Sequence, residues 1–138
     1  MVLFRNFPLL IIPLIIYNAS SLGFISSLGD IWSAEIFRFQ MISGTVFSLT
    51  RGGMIITIAL ALLFIEILKA TRTAQSTIVD HLFSTLIFIV YLIQFIIDPA
   101  AATTTYFICL VIALLDVIAG YSISIRVASR DVTLGGGL

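Results

Sequence analysis

The chain has 138 residues, of which 60% are hydrophobic and 10% are charged, and its formal net charge is zero. Ordinary soluble domains hold roughly 45–50% apolar and roughly 25% charged residues, so this chain has too few polar side chains to build a water-facing surface. It has no run of lysine or arginine, and the basic patch of a nucleic-acid-binding protein is therefore missing. These proportions predict a single integral membrane domain over residues 1–138, in contact with the lipid bilayer and with no nucleic acid as partner.

Apolar stretches predict an all-α membrane protein with four transmembrane helices, over about residues 6–28, 52–69, 79–97 and 104–126. A helix needs about 20 apolar residues to cross the hydrocarbon core of a bilayer. Pro13 lies inside the first stretch, where it removes a backbone hydrogen bond, so this helix is expected to bend. Arg5 followed by an apolar run also fits a signal peptide. However, the bulky Tyr17 stands two residues before Ala19, which makes a poor cleavage site, so a retained anchor is favoured.

Basic residues predict the orientation in the membrane. If the N-terminus is cytoplasmic, five of the seven basic residues lie on the inner side, namely Arg5, Lys69, Arg72, Arg126 and Arg130. The other two, Arg38 and Arg51, lie outside. The positive-inside rule therefore favours cytoplasmic N and C termini and places the segment between the first two helices outside.

That segment, residues 36–50, alternates apolar and polar side chains, with Phe37, Phe39 and Met41 on one face. The period of two and the Ser43-Gly44 pair predict a β-hairpin. An amphipathic interfacial segment anchored by Trp32 and the phenylalanines is the alternative. Because a two-stranded hairpin is barely stable in water, we expect Trp32, Phe37, Phe39 and Met41 to contact lipid headgroups or a partner subunit.

Asp116 is the most costly residue of the chain, because it lies about ten residues from either end of the last helix and hence near the bilayer midplane. Cys109, Ala113, Gly120 and Ser124 share its helix face, and such small residues let a second helix approach closely. Two interpretations remain open. Asp116 is either a packing residue, protonated or hydrogen-bonded to a hydroxyl such as that of Tyr91, or a group that couples to a proton or cation.

A second charged group, predicted at the cytoplasmic end of the helices, comprises Glu66, Lys69, Arg72, Asp80 and His81. Glu66 lies one turn from Lys69 and within reach of Arg72, which indicates an ion pair at the membrane surface. His81 is the only histidine and lacks a second axial partner, so a haem site is disfavoured. Cys109 is the only cysteine, which excludes an intrachain disulfide and a metal site of the CxxC type. No catalytic, cofactor-binding or metal-binding residues are predicted, and no cofactor is expected.

Residues 66–73 (EILKATRT), residues 78–81 (IVDH) with the apolar helix after them, and the hairpin before Arg51 resemble a group of small, uncharacterised four-helix inner-membrane proteins of alphaproteobacteria. The resemblance covers residues 40–130. It implies localisation in a bacterial inner membrane and implies no activity.

Few polar side chains, small-residue helix faces and an aromatic hairpin together predict a non-catalytic accessory, assembly or stabilising subunit of a larger membrane complex, with other integral membrane subunits as partners. The alternative is a small homo-oligomeric transporter or channel that couples to a proton or cation through Asp116. A weaker third interpretation is a subunit of an enzyme that contacts quinone or lipid.

Overall fold

The computed structural model describes residues 7–23, 30–72 and 77–135, which form a helical bundle with one β-hairpin. The helices are α1 (Ile11–Gly23), α2 (Arg51–Ala70), α3 (Thr77–Ile97) and α4 (Thr104–Gly135). The strands are β1 (Glu35–Gln40) and β2 (Val46–Thr50), and a 3-10 turn over Pro99–Ala101 lies between α3 and α4.

Among the described residues, three helices are long and apolar enough to cross a membrane, over Arg51–Ala70, Ile78–Ile97 and Thr104–Arg130. They match the predicted helices at 52–69, 79–97 and 104–126, and they indicate membrane localisation. The 32 residues of α4 extend about 48 Å at about 1.5 Å per residue. Because the hydrocarbon core of a bilayer is only about 30 Å thick, one end of α4 projects beyond it.

The first helix begins later than predicted, at Ile11 rather than at about residue 6. In the described part of the chain α1 covers 13 residues, or about 20 Å, compared with about 30 Å for the hydrocarbon core. The remainder of the predicted span 6–28 falls partly outside the described residues. Pro13 is the third residue of α1, and the Leu9 carbonyl already accepts from the Ile12 N–H at 3.0 Å. Pro13 thus lies in the first turn, where its missing N–H costs no helical hydrogen bond, and the bend expected there is wrong.

The hairpin is confirmed. β1 and β2 pair antiparallel, with Phe37 opposite Leu49 and Phe39 opposite Phe47. Gly44 has a φ of 83°, a left-handed conformation that glycine adopts without the steric cost of a side chain. The turn that the Ser43-Gly44 pair predicts therefore forms, and residues 36–50 contain no helix before α2 begins at Arg51.

The hairpin is attached to α2 without a linker. The Thr50 hydroxyl accepts from the Gly53 N–H at 3.1 Å and caps the helix. The Arg51 and Gly52 N–H groups donate to the carbonyls of Ala34 and Trp32, both at 2.9 Å. These bonds satisfy donors that a helix N-terminus leaves free, and they hold the hairpin against the first turn of α2.

Trp32 is buried rather than displayed on a surface. Its side chain is 7% exposed, and its ring stacks on Tyr17 of α1 with the ring centroids 4.2 Å apart. The prediction that Trp32 forms part of a partner or lipid surface is therefore wrong. The ring instead packs α1 against the base of the hairpin.

α4 is the helix against which α2 and α3 both pack. The small residues predicted on one face of α4 are buried there, including Cys109, Ala113 and Gly120. Gly52 and Ala59 of α2 are buried as well. Close approach of the helices at these small residues brings the polar side chains of three helices together inside the bundle.

Candidate functional site

A group of polar side chains meets between α2, α3 and α4, at the end of the bundle where α2 ends. We call it the polar cluster, and its members are Glu66, Lys69, Asp80, His81, Ser84 and Asp116. Glu66 and Lys69 of α2 are three positions apart, as are His81 and Ser84 of α3, so each pair lies on one helix face. α4 contributes Asp116. The structure therefore joins Asp116 to the charged residues that the sequence treats as a separate group.

The polar cluster surrounds a small cavity that Gly120 also lines. The volume of the cavity that the centre of a water molecule can occupy is about 10 Å³. That is room for about one water, and its polar lining supplies the partners that a buried water needs.

Glu66 connects α2 to the segment just before α1. Its carboxylate accepts from Lys69 Nζ, at 3.3 and 3.4 Å, and from the Leu9 N–H just before α1. Lys69 also donates to the Phe7 carbonyl at 3.1 Å. The predicted Glu66–Lys69 pair is thus present, and it additionally holds the start of α1. Arg72 is exposed in the turn after α2 and does not line the cavity.

His81 is buried against α4. Its Nε2 shares a hydrogen bond with the Ser124 hydroxyl, and its ring lies 5.2 Å from that of Tyr121, centroid to centroid. A Cβ at Gly120 would lie only 2.6 Å from His81 Nδ1. Gly120 is therefore needed for the imidazole to fit. The sequence places Gly120 on the Asp116 stripe, but it does not show that the ring of His81 lies there.

Asp116 is 6% exposed, and its carboxyl group hydrogen-bonds the side chain of Ser84. Tyr91, the hydroxyl suggested from the sequence, donates instead to the Leu10 carbonyl at 3.0 Å. At about 1.5 Å per residue, Asp116 lies about 18 Å along α4 from Thr104, close to the middle of the apolar stretch 104–126.

Tyr91 belongs to a second polar group nearer the hairpin, which we call the tyrosine network: Tyr17, Asn18, Tyr91, Gln94, Thr103 and Tyr106. Tyr17 Oη donates to the Ala100 carbonyl at 2.8 Å, and Tyr106 Oη donates to Gln94 Oε1 at 2.9 Å. Asn18 and Gln94 exchange amide hydrogen bonds. These bonds join α1 to α3 and α4. Ala113, grouped with Tyr91 from the sequence, is a buried packing residue.

The hairpin presents an aromatic face, which consists of Phe37, Phe39 and Phe47. All three side chains are about half exposed, as is that of Met41, the residue just after β1. The register places Phe39 directly opposite Phe47, so the rings form one continuous patch. Arg38 pairs with Glu35 at 2.7 Å, so the hairpin also carries an exposed ion pair.

Across the described residues, no group of three or more histidine, cysteine or carboxylate side chains is placed to hold a metal ion. Comparison with protein-family models, with curated proteins and with solved structures gives no match for this chain.

Proposed function

We propose that the protein is a non-catalytic accessory, assembly or stabilising subunit of a larger complex in a bacterial inner membrane. The aromatic face of the hairpin is the observation that carries this proposal. Three phenylalanine side chains are about half exposed there, on an element held against α2 by backbone hydrogen bonds. An exposed apolar patch of this kind is typical of an interaction site.

The interior of the bundle also supports a structural role. In the tyrosine network, hydroxyl and amide groups hydrogen-bond to one another and to backbone carbonyls. Glu66 and Lys69 bind each other and the backbone of residues 7–9. These polar groups hold the helices in place, and the cavity beside the polar cluster has room for about one water rather than for a substrate.

We infer that the aromatic face binds another integral membrane subunit. Thr50, which ends β2, is also the N-cap of α2, so the hairpin has a fixed position at the N-terminal end of a membrane-spanning helix. A membrane protein that packs beside this end of α2 would contact the hairpin. Aromatic side chains at the centre of such an interface contribute much of the binding free energy.

Phe39→Ser is expected to weaken association with that subunit by about 2 kcal/mol, or roughly 30-fold in affinity, because it removes a central aromatic anchor. The measurement is quantitative mass spectrometry of the complex purified from native membranes in mild detergent. Gln40→Ser is the matched control, since Gln40 is the next residue of β1 and its side chain points to the opposite face. Equal recovery of the partner with both variants would contradict the proposal.

Photocrosslinking identifies what covers the aromatic face. A photoreactive amino acid at position 39 is expected to crosslink to a different membrane protein, and the same amino acid at position 40 is expected to crosslink much less. Crosslinks to lipid alone, or to a second copy of this chain, would show that no heterologous subunit binds there.

The polar cluster favours a second candidate, a small homo-oligomeric transporter or channel that couples to a proton or cation through Asp116. The supporting observation is that Asp116, Glu66 and His81 are all buried around one cavity. Buried ionisable groups within membrane helices are typical of coupling sites. A clean homo-oligomer, without heterologous partners, would favour this candidate over the accessory subunit.

The proposed orientation places both termini and the Arg72 turn in the cytoplasm and the hairpin outside, in agreement with the distribution of basic residues. Reporter fusions inserted at the Gly44 turn and after Arg72 are expected to report opposite sides, with Arg72 cytoplasmic. Reports from the same side would contradict a membrane crossing by α2, and a reversed pair would contradict the orientation.

A further inference from the structure

We propose that the polar cluster is a proton-binding site in which Asp116 carries one exchangeable proton. The chemistry is independent of the accessory role, because a stabilising subunit needs no exchangeable proton inside its helices. Four observations point to it: the balance of charges, the partners of each carboxyl group, the cavity, and the graded exposure of the cluster.

Charge balance is the first observation. Glu66, Asp80 and Asp116 bring three carboxyl groups to the cavity, against the ammonium group of Lys69 and the imidazole of His81. Two neighbouring carboxylates in a poorly solvated site repel each other, and one of them is held neutral when a cation does not separate them. Repulsion between the carboxylates therefore favours a cluster that retains one proton.

The hydrogen-bond partners indicate which carboxyl group retains it. Glu66 accepts from an ammonium group and from a backbone N–H, which are partners that stabilise a carboxylate. Asp116 is hydrogen-bonded to the neutral hydroxyl group of Ser84. A neutral hydroxyl group stabilises a carboxylate less than an ammonium group does. The proton therefore resides on Asp116, which lacks the partners that Glu66 has.

Charged and titratable groups face Asp116 from both helices that pack closely on α4. α2 supplies Glu66 and Lys69, and α3 supplies Asp80 and His81. On α4 itself, Tyr121 lies against the His81 ring. The nearest titratable side chain of α1 in the described part of the chain, Tyr17, bonds to Ala100 and Thr103 at the opposite end.

Lys69 is more exposed than Glu66 or Asp116, so a proton would enter the cluster beside Lys69. The side chain of Lys69 is 22% exposed and that of Glu66 is 7% exposed. A water in the cavity would bridge this point of entry to Asp116. In the uptake step, an O–H bond of a hydronium ion breaks, an O–H bond forms on the Asp116 carboxylate, and a neutral water molecule is released.

Infrared difference spectroscopy tests the assignment on the full chain in lipid nanodiscs. A pH jump from alkaline to acidic buffer is expected to produce the C=O stretch of a protonated carboxyl group, shifted by deuterium oxide, in the wild type. Asp116→Asn, which is nearly isosteric, is expected to remove the component of this band that arises from Asp116. Glu35→Gln, which changes an exposed carboxyl group of the hairpin, is the matched control and is expected to retain it.

Two results would overturn the proposal: a wild type without a titrating carboxyl band, or a band of unchanged shape and intensity in Asp116→Asn. A band that responds to sodium at constant pH, with choline as the comparison, would assign the site to a cation instead. If Asp116→Asn fails to fold, the same infrared measurement on Ser84→Ala tests the assignment, because this variant keeps the carboxyl group of Asp116 and removes its hydroxyl partner. The frequency of the band is then expected to shift, and an unchanged band would overturn the assignment.

Discussion

Gly52→Ala is expected to lower the free energy of unfolding by about 1–3 kcal/mol, the usual cost of inserting a methyl group into a tightly packed contact. A Cβ at this position would lie 2.5 Å from Thr105 Oγ1 and 3.1 Å from the Trp32 carbonyl oxygen. The Trp32 carbonyl is backbone that also accepts the Gly52 N–H, so it cannot move without loss of that bond. The measurement is equilibrium unfolding in mild detergent, followed by circular dichroism.

Gly53→Ala is the matched control, because Gly53 occupies the next position of the same helical turn. A Cβ there would meet the side-chain atoms Leu49 Cδ1 and Thr50 Oγ1, both at 3.3 Å, rather than backbone. Alanine in place of glycine favours a helix by about 0.8–1.0 kcal/mol, which offsets a small steric cost. Little change in stability is therefore expected. Equal destabilisation by both substitutions would show that the contact of α2 with α4 at Gly52 is not tight.

Gly120→Ala is expected to displace the ring of His81 and to destabilise the bundle by about 1–3 kcal/mol. The added methyl group would lie 2.6 Å from His81 Nδ1 and 2.7 Å from Cε1. The ring is buried and shares a hydrogen bond with Ser124, so rotating it away also breaks that bond. The NMR signals of a ring-labelled histidine report the displacement directly, because the chain contains only one histidine.

A double-mutant cycle separates this clash from a general effect on α4. If the cost arises from the ring, Gly120→Ala is expected to cost much less in a His81→Ala background, with a coupling free energy of about 1 kcal/mol or more. Additive effects would show that Gly120 serves helix packing alone. Both variants should also be examined in the infrared experiment, since His81 lines the cavity beside Asp116.

The hairpin can be predicted from neighbouring residues alone. Alternation over residues 36–50 and the Ser43-Gly44 pair depend only on neighbouring residues, and the structure has the strands and the left-handed Gly44. The same reasoning failed for α1. Pro13 was expected inside a helix that begins at residue 6, whereas the helix begins at Ile11. The start of α1 depends on the bonds of Leu9 and Phe7 to α2, which are contacts between distant parts of the chain.

The members of the polar cluster can be predicted from the sequence in part, but their arrangement cannot. Asp116 and Glu66 can be selected from the sequence because a carboxyl group within an apolar stretch is costly. Their common cavity cannot be predicted in this way, since it depends on the axial offset between α2, α3 and α4. From the sequence, Tyr91 is the suggested hydroxyl partner of Asp116. Ser84 and Tyr91 are both buried on the same face of α3, but they lie about 10 Å apart along its axis. The axial offset of α3 against α4 therefore decides which of them bonds Asp116, and it is Ser84.

The three long apolar helices and the hairpin can be predicted from the sequence alone, because apolar length and a period of two are properties of neighbouring residues. The packing of the helices places Trp32 on Tyr17 and His81 against Gly120, and it brings carboxyl groups of α2, α3 and α4 to one cavity. None of these contacts follows from neighbouring residues. The reason is physical. Helices joined by turns can slide and rotate relative to one another, and close packing at small residues selects one arrangement.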